Sequence, residues 1–397
     1  MTPSPVHISA AQQAGHLRWL HEVTPLPTAA GREGAVIAWM NRWLAERPDL
    51  VCTTDSAGNL HIAFRSHPKD PVSGPPVYFT AHMDHPAFVI ERVIAPSVVQ
   101  MSFRGGVMDE YFVEAPVVLH TKSGTHRGRL AGTVEHVPGP FKHYLAEFER
   151  KVPDAAVGDV AVWDVGAPSV EGDLFHTLAC DDLSALVAAV AAMDVLRADG
   201  PRHDVRLLLT RAEEVGFIGA IAAARDTTME PGSRVIALEN SRSFPESPIG
   251  GGPIVRVGDR MSVFSPALTD AVAKRAEEIA GGASSVTASQ KLAELSKWRW
   301  QRKLMAGGAC EASVYCALGY ECTCVCLPLG NYHNMADLEN VQAGTNTTPP
   351  RVAREVNSVC DFHGLVDLLV ACGRKLPAGG ALTDRFDRLW GERAFVL

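Results

Sequence analysis

Five short segments of this 397-residue chain place ionisable side chains directly after an apolar run. They are Thr80-Ala81-His82-Met83-Asp84, Leu178-Ala179-Cys180-Asp181-Asp182, Thr210-Arg211-Ala212-Glu213-Glu214, Ala237-Leu238-Glu239 and Gly330-Asn331-Tyr332-His333. Such runs read as buried strands, and in open α/β sheets ligands bind outside the carboxyl ends of the strands. Segments far apart in sequence can then converge on one site. The inventory is two histidines and several carboxylates, a nitrogen-and-oxygen set that suits zinc, cobalt or manganese. A pair of ions about 3.5–4 Å apart needs a shared oxygen ligand. Asp181, between a strand and a helix start, fits that bridging role. Each ion then gains one histidine, His82 or His333, and one further carboxylate.

Glu213 and Glu214 are adjacent, so on an extended backbone they point to opposite sides. One can ligate while the other faces a water acidified by the ions and acts as general base. Asp84 lies two residues past His82 on the same strand face. There it can accept the second ring N–H of His82 and fix its tautomer. A lone His-x-Asp is a weak signal, and a lone Glu-Glu pair is more often a solvated face. The weight lies in the joint placement with Asp181, Glu239 and His333, all at predicted strand ends. Two other clusters read as structure. Cys322, Cys324 and Cys326, with Cys310 and Cys316 upstream, alternate as small buried side chains in an apolar strand do. Gly250-Gly251-Gly252 lacks the Lys-Ser/Thr that a phosphate loop requires.

The elements that position these residues follow from periodicity. Helices are expected over about 8–23 and 33–45, and a hairpin turns at 55–59 before Leu60, Ile62 and Phe64 alternate. Apolar strands at 77–80, 205–209, 235–238 and 322–327, with an Ala-rich helix over 183–196, predict an α/β fold. Its centre is a mixed sheet flanked by helices. Between Phe88 and Phe175 the texture changes to β-branched runs broken by glycine and proline, with a helical period only near 143–151. This predicts an inserted β-rich domain over 88–175, serving oligomerisation or acting as a lid, with 1–87 and 176–397 forming the catalytic domain. The tail, 376–397, predicts a short amphipathic helix.

The formal net charge of -8 and the lack of a Lys/Arg run argue against nucleic acid or an anionic membrane as partner. No apolar run approaches the roughly 18 residues that span a bilayer, and residues 1–20 lack the pattern of a signal peptide. Nine cysteines without a disulfide spacing point to a reducing, cytoplasmic setting.

On these residues the sequence resembles the co-catalytic dimetal aminopeptidases, and among them the glutamyl and deblocking aminopeptidases that form tetrahedral assemblies. The resemblance runs from about Leu17 to Leu369 and implies a phosphorylase/peptidase-like fold for the catalytic domain. It rests on Leu20-His21-Glu22, the 55–59 turn, His82-Met83-Asp84, the β-rich stretch ahead of the bridging aspartate, Glu213-Glu214-Val215-Gly216, Gly251-Gly252-Pro253, Gly307-Gly308 and Tyr332-His333. It implies one metal on His82, Asp181 and Glu239 and the other on Asp181, Glu214 and His333, with Glu213 as base and Asp84 orienting His82. The sequence departs from the family pattern in four places. His85 stands where a glutamate is usual, and Leu183 where an arginine is usual. Glu239 and Glu311 each stand where an aspartate is usual, Glu239 in the manner of the carboxypeptidases and deacylases.

The resemblance implies removal of N-terminal residues from small peptides by water activated between two divalent ions per chain. Zinc is the expected metal, with cobalt or manganese as alternatives, and the expected state is a homo-oligomer, a dimer or a dodecamer. The runner-up enzyme is a carboxypeptidase or N-acyl amino acid amidohydrolase, in which Arg242, just past Glu239, would contact a carboxylate. A reading of another class is a non-catalytic metal-binding scaffold. Glu213 argues against it, because a scaffold needs no base beside the metal.

Overall fold

Serine and glutamine start the first helix. Ser9 and Gln12 form a reciprocal capping box at the head of α1 (Ala10–Val23), and α2 (Gly34–Ala45) follows. Trp19 of α1 packs edge-on against Trp39 and Trp43 of α2, under the Arg47 guanidinium. The computed structural model describes residues 8–66, 74–199, 204–281, 298–377 and 381–397. Asp55 turns the hairpin of β1 (Leu50–Thr54) and β2 (Leu60–Phe64) by accepting the N–H groups of Ala57 and Asn59. β3 (Val77–His82) is buried along its whole length.

The next six strands are β4 (Ala87–Ala95), β5 (Val98–Arg104), β6 (Pro116–Thr121), β7 (Gly124–Val134), β8 (Lys142–Phe148) and β9 (Val160–Trp163). They close into a barrel in the order β4-β5-β8-β7-β6-β9. Its core is aromatic. Phe112 stacks on Tyr144 at 4.4 Å, and Phe88 meets Trp163 edge-on at 4.8 Å. The helical period expected near 143–151 is not there. Tyr144, Ala146 and Phe148 are buried at every second position of β8, which is the period of a strand. The barrel ends at Trp163, short of the boundary expected at 175. β10 (Ser169–Glu171) instead pairs with β11 (Leu174–Thr177), and β11 in turn with a strand near the C-terminus.

The rest of the chain alternates helix and strand: α3 (Leu183–Asp199), β12 (Val205–Thr210), α4 (Ile218–Arg225), β13 (Arg234–Arg242), β14 (Ile254–Gly258), α5 (Pro266–Ala280), β15 (Gln301–Leu304), α6 (Glu311–Ala317) and β16 (Glu321–Leu329). After these come α7 (Leu338–Ala343), β17 (Glu355–Ser358), α8 (Val359–Arg374) and α9 (Ala381–Arg393). Eight strands form the mixed sheet β1-β2-β12-β3-β13-β16-β14-β15, as the sequence predicts, with β12, β3, β13 and β16 parallel at its centre. Period two sorts the strands between two cores. Phe79, Leu207, Leu209, Ile236, Leu238, Val325 and Leu327 pack with α3, α5 and α8. Tyr78, Leu208, Val235 and Ala237 face α4 and α6 together with Cys322, Cys324 and Cys326. The three thiols are thus packed side chains of one sheet face. Among the described residues no helix is long and apolar enough to cross a membrane.

Candidate metal centre

Parallel register sets the site. β3 ends on His82 opposite Thr210, the last residue of β12. Past β12 the backbone turns at Ala212 (φ 54°), and the N–H groups of Gly216 and Phe217 both donate to the Glu213 carbonyl. Because this segment is a turn and not an extended strand, Glu213 and Glu214 do not diverge as expected. One atom from each of them and from His82 lies within 4.8 Å of the others. Glu239 sits inside β13, which continues to Arg242, so it is not at a strand end. Asp181 occupies the loop between β11 and α3, joined to Asp182 by a cis peptide bond. His333 lies in a 3-10 turn after β16 with a left-handed backbone (φ 54°, ψ 36°).

The fold brings all of these residues together. Asp181 stands between the two histidines, with Oδ1 3.3 Å from His82 Nε2 and Oδ2 3.4 Å from His333 Nε2. Glu214 Oε1 is 3.4 Å from His333 Nε2, and Glu213 Oε2 is 3.9 Å from His82 Nε2. Two sets of convergent donor atoms share Asp181: His82, Asp181 and Glu239, and Asp181, Glu214 and His333. Asp181 Oδ1 and Glu214 Oε1 are buried with no hydrogen-bond partner. Burial pushes the carboxyls of Glu213, Glu214 and Glu239 well above the usual range. Burial also opposes charge on His82, but Glu213, Asp181 and Asp84 hold its pKa well above the ordinary imidazole value. Burial opposes charge on Asp181, but the His333 and His82 rings on either side hold its carboxyl well below its usual range. A dry cluster with this many carboxylates demands positive charge, and two divalent cations would supply it. The donor types and the orphaned oxygens fit such ions.

Asp84 acts differently from the sequence expectation. The His82 Nδ1–H donates to the main-chain carbonyl of Asp84 at 3.0 Å, while the Asp84 carboxylate is 3.7 Å away. That carboxylate instead accepts the N–H groups of Glu213 (2.9 Å) and Glu214 (3.1 Å). The reason is the same turn at Ala212, which aims two backbone donors at Asp84. Glu33, fully buried, grips the turn from the other side by accepting from Ala212 N and Arg211 Nε. His333 is oriented from the barrel, where the Gly106 carbonyl accepts its Nδ1–H at 2.6 Å. The loop carrying Gly106 docks through the Tyr111 hydroxyl, which donates to the Ala336 carbonyl at 2.7 Å.

Several residues around the site were given no role by the sequence. Asp182 accepts His82 N and Asn240 Nδ2. His85, visible only as a departure from the family pattern, contacts the Asp181 carbonyl and Asn334 Oδ1. Glu311 is buried beside the site, and burial lifts its carboxyl to about 7. Glu355 accepts three main-chain N–H groups, from Cys180, Asp181 and His333. Nothing in its neighbourhood of sequence, Arg354-Glu355-Val356-Asn357, sets it apart.

A cavity of about 160 Å³ opens beside Glu239 and Tyr332, and Arg256, Ser241, Phe244 and Met305 line it further in. Arg256 is 2% exposed. Its Nη1 donates to Ser241 Oγ at 3.1 Å, its Nη2 reaches the Met305 carbonyl only at 3.5 Å, and its Nε has no partner. Among the described residues no carboxylate pairs with it.

A mixed α/β sheet with imidazoles and carboxylates gathered beyond its central strands is the layout of a metal-dependent hydrolase. The sequence model of the M42 glutamyl aminopeptidase family matches residues 58–280, more than half of the chain, and the chain belongs to that family. It is a metallo-aminopeptidase that cleaves peptides at their N-termini. Among solved structures, an aminopeptidase from the archaeon Desulfurococcus kamchatkensis is 18% identical with a TM-score of 0.69, over 92% of this chain and 96% of that one. The Pyrococcus horikoshii TET1 peptidase, which can assemble into a tetrahedron or a large octahedral shell, is 20% identical with a TM-score of 0.68, over 90% and 99%. At these identities the likeness is one of fold. No curated protein sequence matches the chain significantly.

Proposed function

We propose that His82, Asp181 and Glu239 hold one divalent cation and Asp181, Glu214 and His333 a second, with Glu213 as the general base. The observation that carries this reading is the pair of three-residue donor sets sharing one carboxylate. The nitrogen-and-oxygen donors suit zinc, with cobalt or manganese as alternatives. Bound there, such a pair supplies Lewis acidity, which lowers the pKa of water and polarises a scissile carbonyl. Glu213 belongs to neither set that contains Asp181. Burial raises its proton affinity, so it can take a proton from the attacking water and pass it to the leaving amine. Asp84 and Glu33 hold the turn that aims it.

The cavity beside Glu239 receives the side chain of the residue being removed. A buried guanidinium with the Glu239 charge nearby but no carboxylate in contact selects a carboxylate, so the preferred N-terminal residue is acidic. Arg242, the candidate contact for a carboxypeptidase or deacylase, is instead bonded to Gln342 Oε1 at 2.6 Å and lies over Phe244. The chain also assembles as a homo-oligomer through its barrel, where Val93, Ile94 and Val113 are exposed. All nine cysteines are free, which suits a cytoplasmic setting.

Elemental analysis after reconstitution tests the centre, and a substrate panel tests the chemistry. Two ions per chain are expected, both lost in Asp181→Ala. Hydrolysis should be fastest on glutamyl and aspartyl anilides with free amines and absent on their N-acyl forms. Full activity in chelator-stripped protein, or cleavage of the N-acyl forms, would sink the reading. A monomer by light scattering at micromolar concentration would remove the oligomer from it.

A further inference from the structure

We propose that Glu355 is a positioning residue for the second cation site, clamping the bridging-aspartate loop and the His333 turn to each other; the inference rests on the ligand sets proposed above. Glu355 is the first residue of β17 and is fully buried. Its Oε2 accepts the N–H of Cys180 at 2.7 Å and of Asp181 at 3.0 Å. Its Oε1 accepts the N–H of His333 at 2.8 Å. One carboxylate therefore bonds the main chain of two candidate ligands that are far apart in sequence.

The His333 turn needs such a hold. Asn331, His333 and Asn334 all have positive φ, at 53°, 54° and 64°, a region that side-chain-bearing residues seldom occupy. A buried carboxyl acceptor on the His333 N–H at 2.8 Å offsets that strain and fixes where the ring sits. The neighbouring bonds do not replace it. Val356 of β17 exchanges both main-chain bonds with Gly330, and Ala353, two residues before β17, donates its N–H to Asn334 O, so this stretch is tied to both ends of the turn. A second link between loop and turn runs through His85, which bridges the Asp181 carbonyl and Asn334 Oδ1. Neither contact reaches the His333 N–H. An ionised carboxylate is acceptor-only, which three converging donors require; a glutamine has one acceptor oxygen and a donor amide.

That difference makes Glu355→Gln informative. Its single oxygen can serve Cys180 and Asp181 together, which leaves the amide facing the His333 N–H. The His82–Asp181–Glu239 set then stays in place, because His82 is held by Asp84 and Asp182 and Glu239 by β13. The His333 set shifts.

The test is zinc(II) titrated into chelator-stripped protein against a competing chelator, for wild type, Glu355→Gln and His333→Ala. Wild type should bind two ions. Glu355→Gln should keep one at wild-type affinity and hold the other about 10- to 100-fold more weakly, with kcat restored by excess zinc and KM little changed. A merely structural role would weaken both ions alike or neither, and either result overturns the proposal. His333→Ala should bind one ion; two would remove the ligand set and the clamp with it, whereas one ion together with an unaffected Glu355→Gln removes the clamp alone. Hydrogen exchange on stripped wild-type protein gives a readout that needs no variant. The amides of Cys180, Asp181 and His333 should be as protected as those of β17, and open-loop exchange there would overturn the clamp.

Discussion

Replacing Arg256 by methionine should separate stability from specificity. The guanidinium makes one sound hydrogen bond, to Ser241 at 3.1 Å, worth about 1 kcal/mol, while the unmet Nε costs about 1–3 kcal/mol. Burying an arginine without a carboxylate is thus unfavourable to the free protein, and an apolar side chain of similar length is neutral or stabilising. We expect Arg256→Met to gain about 0–2 kcal/mol, a rise in Tm of at most a few degrees at roughly 2–4 °C per kcal/mol. The substrate loses the buried charge partner that its carboxylate would meet. Truncating one side of such a pair costs about 2–4 kcal/mol, or roughly 30- to 1,000-fold in kcat/KM at about 1.4 kcal/mol per tenfold. The assay compares glutamyl, aspartyl, leucyl and lysyl anilides in wild type and variant, with thermal unfolding alongside. The acidic substrates should fall by that factor, and the leucyl substrate should hold or improve. An unchanged glutamyl-to-leucyl ratio would refute the reasoning. So would a large drop in Tm with uniform loss on all four, since Arg256 would then be holding the fold.

Glu213→Gln should keep both ions and lose at least about 10²-fold in kcat, because an amide cannot take the proton; Glu214→Gln should in addition weaken metal binding, and identical behaviour of the two in metal titration and turnover would reverse the assignment. Tyr111→Phe should cost about 1–2 kcal/mol by orphaning the Ala336 carbonyl, and by loosening the Gly106 loop it should weaken the His333 cation site in the same titration. His16 of α1 is buried, and burial, then His363, lower its pKa from 6.5 to about 4. The folded chain therefore binds fewer protons than the unfolded one, so the contribution is complete above about pH 6.5 and is lost as pH falls towards 4, by at most about 3 kcal/mol. Urea unfolding of stripped protein at pH 7 and 5 should show a smaller acid penalty in His16→Gln than in wild type, and equal penalties would exclude His16 as a source.

How far the sequence could be read depended on whether a residue's role is local. His82, Asp181, Glu214, Glu239 and His333, the ligands proposed above, stand out in the sequence because metal chemistry admits few side-chain types and because an apolar run precedes each of them. The strand period also told packed thiols from ligands at Cys322, Cys324 and Cys326. What failed were the inferences that needed the path of the chain after the strand. Reading Glu213 and Glu214 as diverging assumed an extended backbone, and the turn at Ala212 abolishes that geometry. The same turn redirects Asp84 from the His82 ring to two backbone N–H groups. Glu355 shows the limit most clearly. In the sequence it is one acidic residue among 45. It acquires a role only when β11 pairs with β17, with Thr177 opposite Glu355, and brings the Asp181 loop against the strand that also borders the His333 turn. Arg256 is similar, since nothing in its neighbourhood of sequence says that no carboxylate will meet it. The proposed ligands follow from chemistry that each segment declares alone. The residues that position those ligands, and that choose a substrate for them, follow from which segments meet, and topology decides that.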